Sequence, residues 1–158
     1  MTSRGAEIVS HEEQILASLD EGFNCAESMV VAFADTVDLP RDVGMRAATG
    51  FGGGMGRTGN VCGLVSGAVL VLGWSVGRND PTDAESKKRA YDAVATLIGG
   101  LKTSRDSIRC PEILGADFAT DEKRRTCAIE AGDFKRRCRA VAGEIAVILE
   151  RLLVSSGS

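Results

Sequence analysis

Gly50-Phe51-Gly52-Gly53-Gly54-Met55-Gly56-Arg57-Thr58-Gly59, running on into Asn60-Val61-Cys62-Gly63-Leu64-Val65-Ser66-Gly67, decides what fold this chain can adopt. Six of the first ten residues are glycine, a density that neither helix nor strand tolerates, because glycine has the most backbone freedom to lose on ordering. The segment reads as a loop that uses positive φ or close backbone approach. The chain beyond it is apolar from Val61 to Val76, and Asn60 is a residue type that caps helices. Interrupted by Gly63, Gly67, Gly73, Ser66 and Ser75, that run falls short of the roughly 18–20 residues of a membrane span. It reads as a buried central helix. Gly59, Gly63 and Gly67 recur every four residues, leaving a smooth strip for a second helix to approach.

Working outward, the flanking segments also read as helices. Ile8 to Leu19 places Ile8, Ile15, Leu16 and Leu19 among acids, with Ser10 and Glu13 spaced as a capping box. Asn24 and Glu27 repeat that box before Met29, Val30, Phe33 and Val37. Leu39-Pro40 ends this second helix, and Pro40 suits the opening of a short one over Arg41 to Thr49. On the other side, Thr82 or Asp83 caps a long helix to about Lys102, with Ala90, Val94, Leu97, Ile98 and Leu101 on one side. Pro111 opens a short turn to Leu114, Asp121 to Ala131 suggests another, and a last helix from about Asp133 buries Phe134, Val141, Ile145, Ile148 and Leu152. It is expected to fray from Val154 onward. Nothing alternates at a period of two for more than a few residues. The expectation is an all-α fold: a single compact bundle of about five to seven helices with the glycine-rich loop before a buried central helix. It would form one domain over 1–158, with short flexible termini at about 1–6 and 155–158.

Composition narrows the function classes. The chain has 158 residues, 44% hydrophobic and 26% charged, which is globular rather than disordered. Aromatic content is only 4%, so the core must be built from small aliphatic side chains and closely packed helices. A net charge of −3 exerts no overall pull toward nucleic acid or acidic membranes. Residues 1–20 carry acids where a signal peptide needs an apolar core. Five cysteines, an odd number, do not suit a secreted disulfide framework. The cytoplasm is the expected compartment. His11, the one histidine, reads as a surface residue, and no Ser-His-Asp or Cys-His set is evident.

The chemistry points to the cysteines by placement. Cys25 follows the cap Asn24, Cys62 lies two residues after Asn60, and Cys110, just before Pro111, would itself cap its turn. A helix N-terminus presents free N–H groups and partial positive charge, which favour thiolate over thiol. A free cysteine titrates near ~8.5, and such a site can lower it by one to several units. Arg57 would add a second positive charge near Cys62, which is therefore expected to titrate below the ordinary value. Cys138, inside a helix, and Cys127, in a charged stretch, lack this placement. The bland alternative is that the cysteines are buried, inert small hydrophobes. Spacings of 37, 48 and 28 residues along Cys25, Cys62, Cys110 and Cys138 contain no CxxC pair, though a bundle can still bring distant cysteines together around a metal or an iron–sulfur cluster.

Cys25, the loop Gly50–Gly59, the string Cys62-Gly63-Leu64-Val65-Ser66-Gly67, Cys110 and Cys138 together resemble the bacterial and archaeal redox-active proteins called the C_GCAxxG_C_C family. The resemblance runs from about Gly22 to Leu153. It maps the four family cysteines onto Cys25, Cys62, Cys110 and Cys138 and implies a redox role without naming a substrate. Leu64 departs from the alanine usual after the Cys-Gly pair, which alters packing but removes no reactive group. Cys127 is left outside this mapping, as an alternative only for the family position near the C-terminus.

Other signals are weaker. Gly54-Met55-Gly56-Arg57-Thr58-Gly59 has the G-x-G-x-x-G form but lacks the strand that gives that motif its meaning. Gly53, Gly54, Gly56, Arg57 and Gly59 could still receive an anion at a helix N-terminus. Lys123-Arg124-Arg125 and Lys135-Arg136-Arg137 with Arg139 form a basic patch that reads as a solvated face; aromatics for base stacking are missing. The leading expectation is a thiol oxidoreductase with Cys62 as the reactive thiolate and Cys25, Cys110 and Cys138 as resolving partners or co-ligands. Its partner would be a redox protein or small molecule, not nucleic acid. The alternatives are a cysteine-ligated metal or iron–sulfur protein and a non-catalytic helical module, dimeric through its small-residue face.

Overall fold

The computed structural model describes residues 9–115, 121–123, 126 and 132–156. Cys127, Arg124, Arg125 and most of the helix expected over 121–131 lie outside these, as do the side chains of Phe134 and Lys135. The helices are α1 (His11–Glu21), α2 (Cys25–Phe33), α3 (Arg41–Ala48), α4 (Gly63–Val76), α5 (Ala84–Lys102), α6 (Cys110–Leu114) and α7 (Asp133–Ser156). No strand occurs among the described residues, and the all-α bundle expected from the sequence is what forms.

Local chemistry sets most boundaries where the sequence placed them. Ser10 accepts from the Glu13 amide and Glu13 reaches back to the Ser10 amide, closing the α1 capping box. Asn24 accepts from the amides of Ala26 and Glu27, and Glu27 returns the bond. Asp83 caps α5 through the Ser86 amide. Each cap satisfies amides that have no partner inside the helix.

Four boundaries or placements differ. α2 ends at Phe33, not Val37, because the chain tightens into a 3₁₀ turn over Asp35–Val37 and reverses at Asp38, which has φ 53°. α4 starts at Gly63, and its cap is Cys62, not Asn60. Val61 is held instead in an isolated antiparallel bridge with Arg109, so the backbone cannot turn helical until after Cys62. Likewise Arg109, not Cys110, caps α6. At its far end α7 continues through Ser156 instead of fraying at Val154, with the Ser155 hydroxyl donating to the Arg151 carbonyl.

Glycines let the central pair of helices close up. A Cβ on Gly67 would lie 2.8 Å from the Ala26 carbonyl oxygen and 2.9 Å from Met29 Cβ. One on Gly63 would overlap Cys25 Sγ outright and sit 3.0 Å from the Phe51 carbonyl oxygen. α4 therefore rests directly on the backbone of α2, as the four-residue glycine spacing suggested. Phe33, Ile15, Met29, Leu64, Leu72, Leu97, Leu101, Ile145 and Leu149 fill the core around this pair.

The packing also fixes direction. Gly63 meets Cys25 and Gly67 meets Met29, while Phe33 and Ser75 share one cavity wall, so α2 and α4 run parallel. α1 runs against α7, with Asp20 paired to Arg139 at 2.5 Å at one end and His11 to Glu150 at 2.7 Å at the other. α5 also opposes α7, and Arg105 beyond its end pairs with Glu144 at 2.8 Å.

His11 is consequently not the free surface residue expected. Its ring stacks on Phe33 with centroids 4.0 Å apart. Nδ1 meets the Glu150 carboxylate at 2.7 Å and Nε2 meets the Thr36 hydroxyl at 2.8 Å. A carboxylate only accepts, so Nδ1 carries a proton, and the ring ties the start of α1 to the ends of α2 and α7.

Candidate functional site

The glycine-rich segment becomes a left-handed coil. Gly53, Gly54, Met55, Gly56 and Arg57 have φ of 64°, 72°, 62°, 62° and 65°. Glycine adopts this region freely, but Met55 and Arg57 carry a cost of roughly 1–2 kcal/mol each. The coil is held from within: the amides of Met55, Arg57, Thr58, Gly59 and Asn60 donate to the carbonyls of Phe51, Gly52, Met55, Gly53 and Gly54. Thr58 adds hydroxyl bonds to the Gly54 and Met55 carbonyls, and Asn60 donates its side-chain amide to Thr58 instead of capping a helix. Gly54 and Gly59 are buried, whereas Gly56 and the Arg57 side chain face solvent.

The amide of Gly53 has a different use. It is among the amides that favour charge on the Cys25 sulfur, with those of Ala26, Gly63 and Cys25 itself, while the Ala26 N–H is hydrogen-bonded to Asn24 Oδ1. Cys25 is the first residue of α2, and Gly63 the first of α4, so two helix N-termini and the loop close on one sulfur. The Cys-Gly pair in the sequence has a physical basis here: any side chain at position 63 would occupy the space of that sulfur.

Cys62 and Cys110 are brought together by main chain. The Cys62 amide donates to the Ile108 carbonyl at 2.8 Å, and the Cys110 amide to the Asn60 carbonyl at 2.8 Å, either side of the Val61–Arg109 bridge. This bridge was not legible in the sequence, because three paired residues leave no alternation. Gly54 packs against the same place, since a Cβ on it would lie 2.9 Å from that of Cys110. α7 then delivers Cys138 from the opposite side. A charge on Cys62 would be opposed by charge on Cys25 or Cys110, and one on Cys138 by charge on Cys25, Cys62 or Cys110. The four cysteines, separated by 37, 48 and 28 residues, thus form one cluster at the end of the bundle where α2, α4 and α6 begin.

Burial governs how these thiols titrate. Cys25, Cys62, Cys110 and Cys138 are 6%, 2%, 3% and 2% exposed, and all are free thiols. Loss of solvation pushes Cys62 up to about 12, reinforced by repulsion from Cys25 and Cys110 and only partly opposed by the amides of Leu64 and Val65. Cys138 is raised by burial and then by its three sulfur neighbours. Cys25 is raised by burial too, against the pull of its four amides. The expected depression of Cys62 is therefore overturned. A helix N-terminus lowers a thiol only while the sulfur keeps some solvent, and desolvation of the charged form outweighs it here. Arg57 does not help, as the groups acting on Cys62 are thiols and amides.

No group of three or more His, Cys, Asp or Glu among the described residues is arranged to hold a metal ion. No described helix is long and apolar enough to cross a membrane. In the basic patch, Arg137 donates to the Leu114 carbonyl and Arg139 pairs with Asp20, so these two serve packing around α7.

Comparison with known proteins gives one match. The family model described as "Putative redox-active protein (C_GCAxxG_C_C)" covers residues 23–152. None of the curated proteins and none of the solved structures matches the chain.

Proposed function

The chain belongs to the C_GCAxxG_C_C family, and from that premise we propose that it is a thiol oxidoreductase cycling its clustered cysteines between thiol and disulfide. The observation that carries this is the convergence of Cys25, Cys62, Cys110 and Cys138 into one buried cluster from four separate elements. Two adjacent thiols yield one disulfide, two electrons and two protons. Because burial keeps these thiols neutral, the electrons leave only as the protons do. The N-terminal ends of α2 and α4 favour the thiolate that must form in passing. An incoming disulfide would be reduced by attack of one thiolate, and a neighbouring thiol would then resolve the mixed disulfide. A cytoplasmic setting suits such a cycle, since thiols there are kept reduced and disulfides are transient. The substrate class is a disulfide or an equivalent two-electron oxidant.

A cysteine-held metal or iron–sulfur cluster would use the same four residues. The donor set is chemically suitable, but the sulfurs are not arranged for it, so no step is drawn through such a group. Metal analysis and a visible spectrum of anaerobically purified protein, read beside a thiol count, separate the readings. The thiol reading expects a colourless, metal-free protein with five titratable thiols when denatured. Bound metal or charge-transfer bands would replace it with the metal reading. A thiol count that never changes with oxidant or reductant would leave only a non-catalytic module.

A further inference from the structure

At the end of the bundle away from the cysteines, where α2 and α4 stop, lies a cavity of about 420 Å³. Small-molecule sites span roughly 300–1,000 Å³. Phe33, Val37, Leu153 and Val154 give it apolar walls, and His11, Thr36, Ser75 and Glu150 its polar groups. We propose that it is an acyl-transfer site separate from the thiols, in which His11 activates the Thr36 hydroxyl to accept an acyl group from a small ester with an apolar acyl chain.

Three of these polar groups are joined in series. Glu150 Oε1 lies 2.7 Å from His11 Nδ1, and His11 Nε2 lies 2.8 Å from Thr36 Oγ1. With the Nδ1 proton held by the carboxylate, the neutral ring offers Nε2 as an acceptor, and the Thr36 hydroxyl donates to it. Carboxylate, imidazole and hydroxyl in that order form the acid–base–nucleophile set of acyl transfer, which is recognised by geometry and roles. The sequence hides it, because its members come from the start of α1, the 3₁₀ turn after α2 and a late turn of α7. A latch between helices needs these bonds but no cavity beside them. Here stacking on Phe33, with 4° between the planes, fixes the ring, while Thr36 is exposed and the His11 and Glu150 side chains are 23% and 42% exposed. The relay is thus both rigid and open to a small molecule. Among the described residues lining the cavity, His11 and Glu150 are the only titratable ones.

The chemistry balances with an ester, RCO–OR′, and water. Thr36 Oγ1 attacks the carbonyl carbon as its proton passes to His11 Nε2, and Glu150 holds the resulting imidazolium. The C–OR′ bond breaks, R′OH leaves with the proton from Nε2, and the acyl group stays on Thr36. Water then gives a proton to Nε2 and attacks the acyl carbon. The bond to Thr36 breaks, the hydroxyl recovers that proton, and RCOOH departs. Ser75 is the hydroxyl at hand on the cavity wall for the developing oxyanion. Such donors contribute much of the rate in acyl transfer, so turnover with this single one is expected to be slow and the acyl adduct is the readout.

The test is acid-quenched labelling of the full chain with p-nitrophenyl butyrate, with butyryl groups located by peptide mass mapping. In the wild type the group is expected on Thr36, at a rate that rises with pH as the His11 imidazolium gives up its proton. His11→Gln should slow Thr36 labelling by at least about tenfold and flatten its pH profile. Thr36→Val should lose the adduct at that position, and Thr36→Ser should restore it. Glu150 acts through His11 as a positioning residue, so Glu150→Gln should lower the rate at saturating ester while the ester concentration giving half that rate stays the same. Butyryl on lysine or cysteine side chains with Thr36 unmodified would overturn the proposal, as would equal labelling of Thr36 in His11→Gln. Either result leaves the thiol reading intact, because no cysteine lines the cavity. The wild-type mapping decides even if a variant fails to fold.

Discussion

Gly67→Ala probes the contact on which the site is built, the direct seating of α4 on α2. A Cβ at position 67 would lie 2.9 Å from Met29 Cβ and 2.8 Å from the Ala26 carbonyl oxygen. Carbon atoms prefer about 3.5–4.0 Å, so the shortfall against Met29 is roughly 0.6–1.1 Å. A side chain can yield by that much, but the Ala26 oxygen is backbone and moves only with its helix. Overpacking of this kind costs typically ~1–3 kcal/mol, and the upper end applies when two helices must separate. Alanine returns up to ~1 kcal/mol through its better helix propensity, leaving a net loss of about 2 kcal/mol. Gly99→Ala is the internal control, since nothing lies within 4 Å of a Cβ there; it should stabilise by up to ~1 kcal/mol. Urea denaturation of the reduced protein reads both. The separation also moves Cys62 away from Cys25, so Gly67→Ala should form its internal disulfide more slowly. A Gly67→Ala protein as stable as the wild type, or changing in the same direction as Gly99→Ala, would refute the close seating.

Three further outcomes are expected. Because Cys62 is raised to about 12 when folded, the native state holds its proton at pH values where the unfolded chain has lost it. Stability should thus be full below about pH 8.5 and fall above it by up to ~1.4 kcal/mol per pH unit per thiol; urea titrations of Cys62→Ala should show a shallower fall, and parallel slopes would contradict the burial. Met55→Gly and Arg57→Gly relieve left-handed backbone at a small entropic cost, so thermal melts should show stability held within ~0.5 kcal/mol or raised; a loss beyond ~1 kcal/mol would mean that these side chains make contacts worth more than the strain. His11→Ala removes the Phe33 stack and the bonds to Glu150 and Thr36, at about 1–2 kcal/mol by chemical denaturation, while disulfide formation stays unchanged because His11 sits at the far end of α2 from the cysteines; altered thiol chemistry would speak against that separation.

The fold was legible wherever its cause was local. Ser10, Asn24 and Asp83 announce helices because a cap is a short-range hydrogen bond, and Gly63 and Gly67 announce close packing because helical spacing puts them on one face. The site was legible only in its membership. Helix caps and the family resemblance single out Cys25, Cys62, Cys110 and Cys138 as a group, yet their meeting depends on a three-residue bridge between 60–62 and 108–110 and on the placement of α7. Neither leaves a periodic trace. The titration of Cys62 came out opposite in direction for a related reason. Proximity to a helix N-terminus can be read from sequence, but desolvation depends on a core assembled from elements far apart in the chain, and that is long-range. His11 illustrates the same limit, since its partners Thr36 and Glu150 lie 25 and 139 residues away.

The most direct test of the account is a disulfide map of the native protein before and after stoichiometric diamide, made by differential alkylation and mass spectrometry. The expected result is the reversible loss of two or four thiols drawn only from Cys25, Cys62, Cys110 and Cys138, with Cys127 still alkylated. Recovery of all four as free thiols after oxidation, or a disulfide confined to Cys127 between two chains, would contradict it.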